Sequence, residues 1–189
     1  AFSGAHPNVS VSVSFSDAPR DLLRDGFDLA LRIGRLADST HKIRRLAEMR
    51  RRLVASPRYL RGRRLPRTPR ELKTWDLIHL SSRPPEITLH SPRTKKPTAV
   101  ALVPRISVDS AAAMRELVRA GLGIAALPEV LIAAELARGH LVEILPGWLP
   151  QRFGVYAVWP SNPQRAGLTQ RFIDFMASRI QRLFEGPER

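Results

Sequence analysis

Residues 109–145 read DSAAAMRELVRAGLGIAALPEVLIAAELARGHLVEIL, and this stretch decides the fold class. Asp109 reads as the N-cap of a helix from Ser110 to Ala120, which Gly121 stops. A short buried strand follows from Gly123 to Leu127. Pro128 opens a second helix, running to about Arg138 and ended by Gly139, and Leu141 to Leu145 is the next strand. Helix, strand, helix and strand in succession argue for an α/β protein with largely parallel sheets.

The alternation extends in both directions. Downstream, Phe153 to Trp159 is a strand, and Leu168 to Phe184 is an amphipathic helix. The apolar face of that helix carries Leu168, Phe172, Ile173, Met176, Ile180, Leu183 and Phe184. Upstream, Val9, Val11, Val13 and Phe15 alternate with Ser10, Ser12, Ser14 and Ser16, a period of two that reads as a strand. Asp17 is placed as an N-cap for a helix from Ala18 to Arg24, with Pro19 in its first turn and Gly26 at its end. Phe27 to Ile33 is a strand closed by Gly34. Leu53 to Ala55 is another, and Ser56-Pro57 opens a helical turn. Thr68-Pro69-Arg70-Glu71 is a capping box for a short helix to about Trp75. Leu77 to Leu80 is a strand. Residues 86–91 and 98–103 form a hairpin around Lys95-Lys96-Pro97. The Pro-rich segment from about 81 to 104 breaks the alternation and is where a second lobe would carry a β-hairpin.

Composition bounds the function. With 43% hydrophobic residues in 189, the chain has the apolar content of a folded domain. Cysteine is absent, which excludes disulfides, cysteine zinc sites and a thiol nucleophile. No apolar run approaches the roughly 20 residues of a membrane span. The opening AFSGAHPNVS lacks the charged and apolar regions of a secretion signal, so a cytoplasmic protein is expected. The net charge is +14, and the window from Lys42 to Arg70 holds one lysine and eleven arginines against Glu48. Such a window is either an Arg-rich solvated face or an attractor of polyanions, a nonspecific nucleic-acid-binding stretch.

Catalytic signatures are missing. His6, His41, His79, His90 and His140 are scattered without metal-ligand spacing. There is no G-x-S-x-G elbow, phosphate-binding loop or G-x-G-x-x-G. Ser39-Thr40-His41-Lys42 matches S-x-x-K by letter but lacks its companion motifs. Gly121-x-Gly123 runs from helix to strand, the reverse of a nucleotide loop. No enzyme, cofactor or metal is expected. Binding chemistry remains, at strand ends and helix starts: Ser16-Asp17, Arg32-Ile33-Gly34, and Asp109-Ser110, whose backbone N–H groups favour an anion. Arg32 suits a carboxylate clamp. The plainer reading makes Asp17 and Asp109 caps and pairs Arg32 with Asp28 or Asp17.

Several blocks point further. HPNVSVSVSFSD, GFDLALRIG, LVASPRYL, TPRELKTWDLIHLS, AGLGIAALP and YAVWPSNPQ occur in the order, and over nearly the whole length, of one known pattern. The chain resembles the effector-binding domain of LysR-type transcriptional regulators. The resemblance implies a fold like type 2 periplasmic binding proteins: two Rossmann-like α/β lobes joined by two crossing strands, with an effector cleft between them. Lobe I would be 1–53 and 155–189, and lobe II 54–154. It implies a cleft lined by Ser16, Asp17, Arg32, Ile33, Gly34, Ser81, Asp109, Ser110 and Ala125, with Phe153 nearby. It further implies a small-molecule effector, an organic acid on the strength of Arg32 and the Asp109–Ser110 helix start. The partners it implies are DNA, through an N-terminal winged helix-turn-helix domain outside this sequence, and further copies in a homodimer or homotetramer. By the same resemblance the family's first strand of lobe I lies outside this sequence, and the chain is expected to be a fragment.

Overall fold

The computed structural model describes residues 2–16, 21–34, 41–161 and 166–185. The chain packs as two units, Ala1–Met49 with Phe153–Arg189, and Arg50–Arg152.

The first unit contains the short helix α1 (Phe2–Ala5), the strands β1 (Ala30–Ile33) and β2 (Lys42–Met49), and two elements from the far end of the chain. Those two are the last strand, Phe153–Trp159, and the last helix, Ala166–Glu185, numbered below as β11 and α5. The sheet order is β1-β11-β2, antiparallel throughout. β2 falls inside the basic window and has no alternation. Its inward residues are Leu46, Ala47 and Met49, and the register slips between Val155 and Tyr156 of β11. That bulge lets Leu46 and Ala47 both turn inward. Ile173 and Ile180 of α5 complete this core. Leu168 and Leu183, expected on the apolar face of α5, stay 43% and 59% exposed. Phe175, not expected there, meets Phe2 of α1 edge-on at 5.1 Å.

Three expectations fail in this unit. Residues 9–16 form no strand, and Val11, Val13 and Phe15 are exposed. Alternation supplies a face, but a strand also needs a ladder of backbone bonds, and among the described residues this stretch belongs to no sheet; its Val9 N–H donates instead to His6 O at 3.0 Å. The strand at Phe27 shortens to Ala30–Ile33. The expected helix at 18–24 is, over its described part, a single turn. Asp21 Oδ1 accepts from the N–H groups of Leu23 and Arg24. The turn closes with Phe27 N–H on Leu22 O (2.9 Å) across Gly26 at φ 72°. Asp17 to Arg20 lie outside the described residues.

The second unit holds β3 (Arg51–Ala55), α2 (Pro57–Leu60), a 3-10 helix (Pro69–Thr74), β4 (Leu77–Leu80), β5 (Glu86–His90), β6 (Pro97–Ala101) and β7 (Pro104–Val108). These are followed by α3 (Ala111–Arg119), β8 (Ala125–Pro128), α4 (Glu129–Ala137), β9 (Val142–Glu143) and β10 (Leu149–Pro150). β3 lies between β8 and β9, β5 lies between β10 and β6, and β4 runs parallel to β7. Among the described strands that is the one parallel pair, so the largely parallel sheet expected from the alternation is not found. The helices follow the expected order, but the chain doubles back antiparallel at most pairings. Two cores result, one around Leu53, Leu72 and Leu89, the other around Val54, Ile78 and Leu127.

Local chemistry accounts for the boundaries. Ser56 caps α2, its hydroxyl accepting from Tyr59 N–H, and Pro57 takes the first helical position. The capping box forms in altered guise. Glu71 accepts from Thr68 Oγ1 (2.9 Å) and from Arg67 N–H (3.2 Å), and Thr68 makes no cap to the backbone, so a 3-10 helix results.

Asp76 ties this region together. It accepts from Tyr59 Oη and Arg105 Nη1, each at 2.9 Å, and from Arg63 Nη2 at 3.4 Å. The Arg105 bond, aided by Tyr59, holds its carboxyl below the ordinary 3.8. A carboxyl lowered in the folded state adds stability above its unfolded value, lost as pH falls through the folded one. Below about pH 4, Asp76→Asn is therefore expected to lose less additional stability than the parent chain. Urea unfolding at neutral and acid pH checks this; equal losses in both proteins would refute it.

Candidate functional site

The parallel pair β4–β7 gives the second unit strand ends of the kind at which α/β sheets hold ligands. Leu80 lies opposite Val108, and Ser81 N–H donates to Val108 O at 2.7 Å, so Ser81 and Asp109 leave the two strands side by side. α3 starts immediately after. Its N-cap is Ser110, whose hydroxyl accepts from Ala113 N–H (3.4 Å), and not Asp109 as the sequence suggested. Ser110 has the extended backbone a cap requires, so Asp109, one residue earlier, stands exposed at the strand end. Ser81, Asp109 and Ser110 are thus brought together beside the positive end of α3. Ala125 belongs to the core that Leu80 and Val108 pack against. It is fully buried in β8 opposite Val54, and its methyl group packs into the core.

The first unit gathers a second group. Arg32 sits in β1 directly opposite Tyr156 of β11, half-buried, with Ile33 opposite Val155. Gly34 follows at φ 117°, a conformation side chains rarely adopt, and donates its N–H to Gly154 O at 3.0 Å. Phe153 opens β11 opposite Met49. Ser16 is exposed, and Asp17 lies outside the described residues.

Sequence reasoning missed two further residues. Tyr156 faces Arg32 across the strand pair, which only register reveals. Arg51 was hidden inside the basic window. Its Nε and Nη2 both donate to Gln151 O, at 3.1 and 2.9 Å. Burial first, then the charge of Arg83, pulls its guanidinium down to about 10. The next residue, Arg52, reaches Glu129 at 3.3 Å and Glu143 at 3.4 Å, joining β3 to α4 and β9. Part of the basic window is therefore built into the fold.

An open depression of about 500 Å³ lies between the start of α2 and the C-terminal ends of α3 and α4. It holds none of the expected residues, and its lining carries Arg58, Arg119 and His140 beside Glu116. Among the described residues no group of three His, Asp or Glu is placed to hold a metal, and no helix is long and apolar enough to cross a membrane.

With this geometry in hand, the family is shown by direct comparison. The family model described as the LysR substrate binding domain matches residues 1–181. The chain belongs to the LysR substrate-binding domain family. Its relatives include an HTH-type transcriptional regulator of Haemophilus influenzae, 31% identical over 161 residues, covering 85% of this chain and 56% of the relative. The HTH-type transcriptional regulator PtxR of Pseudomonas aeruginosa is 31% identical over 182 residues, covering 96% and 58%. CrgA of Neisseria meningitidis, a LysR-type transcriptional regulator of solved structure, superposes with a TM-score of 0.77 at 26% identity, covering 94% of this chain and 60% of CrgA. The LysR regulatory domains have the periplasmic-binding-protein-like α/β fold, and this chain shares it. It spans less than two-thirds of the length of the curated relatives it matches.

Proposed function

We propose that this chain is the effector-sensing part of a LysR-type transcriptional regulator. In this reading a small organic acid is bound, and the whole regulator changes its grip on DNA through a helix-turn-helix region. The observation that carries the reading is the meeting of Ser81, Asp109 and Ser110 at the carboxyl ends of β4 and β7, at the head of α3. Backbone N–H groups there favour a carboxylate, and Ser81 and Ser110 add hydroxyls that donate or accept. Arg32, opposite Tyr156, supplies a planar cation for the same class of ligand. In the first unit, Ile33, Gly34 and Phe153 are assigned to apolar contacts with a ligand, and Ser16 and Asp17 to polar ones. Ala125 can take part through its backbone alone.

The two units are assigned as lobes I and II, and further copies are expected to associate as a dimer or tetramer. Binding regulates only if the ligand prefers one arrangement of the protein over another. The reading assigns binding to this chain and no catalysis, cofactor or membrane contact, and it places the protein in the cytoplasm.

A thermal-unfolding screen against benzoate, salicylate, succinate and citrate tests the reading. An acid present at 100 times its dissociation constant is expected to add about 2.7 kcal/mol. A sharp transition unmoved by every acid would reject the acid class.

A further inference from the structure

Residues 61–73 read RGRRLPRTPRELK, and cations recur at every third position: Arg61, Arg64, Arg67, Arg70 and Lys73, all exposed. Burial recurs with the same period in another phase. Pro66, Pro69 and Leu72 are buried, and Arg63, one step upstream in that phase, lies over the Tyr59 ring at 4.3 Å. A 3-10 helix has three residues per turn, and residues 69–74 adopt it. In the stretch before it, which begins with a turn closed by Arg63 N–H on Leu60 O (3.0 Å) across Gly62 at φ 71°, exposure keeps the same period. One phase is thus anchored to the core, and the other stands in solvent as a row of five cations.

Within residues 61–73 the row is offset by Glu71 alone, whose negative charge Arg64 stabilises. Glu71 is held by Thr68 Oγ1 and Arg67 N–H, and Asp76 by Tyr59, Arg63 and Arg105. None of the ion pairs among the described residues involves Arg61, Arg64, Arg67 or Arg70. Three residues advance about 6 Å in 3-10 geometry and about 9 Å in an extended three-fold backbone. Phosphates on one strand of duplex DNA rise about 3.4 Å each, so every second or third lies about 7–10 Å along. Tyr59 is buried beneath Arg63, so the row offers no aromatic platform on which bases could stack.

We propose that this row is a sequence-independent contact for the phosphate backbone of duplex DNA, made by the effector-sensing part of the protein itself. The choice of DNA among polyanions rests on the reading above, that the chain belongs to a DNA-binding regulator.

Fluorescence anisotropy of a labelled duplex of arbitrary sequence, titrated with this chain at several salt concentrations, tests the proposal. Changing Arg61, Arg64, Arg67 and Arg70 together to Gln is expected to flatten the slope of log affinity against log salt by about 3 to 4. Changing Arg93, Lys95 and Lys96 to Gln, at the β5–β6 turn, removes a comparable charge and is expected to leave the slope unchanged. An unaltered slope in the first variant, an equal flattening in the second, or binding to inorganic polyphosphate without binding to the duplex would each overturn the proposal. The substituted side chains are exposed, so the first variant should melt at the parent temperature. Its response to organic acids is measured separately, so a failed DNA contact and a failed effector reading give different results.

Discussion

Gly123→Ala is expected to lower the stability of the second unit by about 3 kcal/mol. A Cβ at this position would overlap the backbone oxygen of Asp76 and stand 3.2 Å from Cγ1 of Ile78. That oxygen accepts from Ile124 N–H at 2.9 Å, and Ile78 N–H donates to Ile124 O at the same distance. The two backbones are therefore locked together where the extra carbon would go, and neither is the loose end of a side chain. The need for glycine here is one of space. Gly4 in α1 is the control, because a Cβ there meets nothing and alanine should be neutral or stabilising by up to about 1 kcal/mol. Urea unfolding of both variants decides the matter. A Gly123→Ala protein within about 0.5 kcal/mol of the parent would show that β4 and the start of β8 can part without cost.

Leu53→Ala is expected to cost a similar amount, about 3 to 4 kcal/mol. Leu53 is fully buried in β3, the central strand between β8 and β9, and packs in the core with Leu72, Ile124 and Ile144. A central strand cannot collapse readily around a cavity, since its backbone is held on both sides. The denaturant midpoint should fall with little change in slope. Leu168→Ala, at a 43% exposed position of α5, should stay within about 0.5 kcal/mol. A Leu53→Ala loss below about 1 kcal/mol would contradict the placement of β3 in the core.

What the sequence revealed depended on whether the deciding interaction was local. The break at Gly121, the proline start of α4, the Ser56 cap and the Lys95 turn are short-range chemistry, and each appears where the residues place it. β11 runs over the expected Phe153–Trp159 because its apolar run is uninterrupted. Pairing was not legible. The alternation of Val9 to Ser16 looks like a strand but joins no sheet among the described residues, and the arginines of β2 hide a strand that β11 and α5 hold in place. Strand direction was misjudged for the same reason, because a helix between two strands does not dictate which strands pair. At the candidate site, Ser81 meets Asp109 only through the parallel register of β4 and β7, and Tyr156 meets Arg32 only through that of β1 and β11. The cap fell to Ser110 instead of Asp109, a one-residue shift that periodicity alone does not resolve.

The central claim is that this chain holds a small acidic effector with Arg32 among its contacts. Titration calorimetry of the acid giving the largest thermal shift, on the parent chain and on Arg32→Ala, tests it most directly. A charge-assisted contact is worth about 1.5–3 kcal/mol, so Arg32→Ala should weaken binding by about ten- to a hundredfold. Equal affinity in the two proteins, with both folded, would contradict the assignment of Arg32 to the effector.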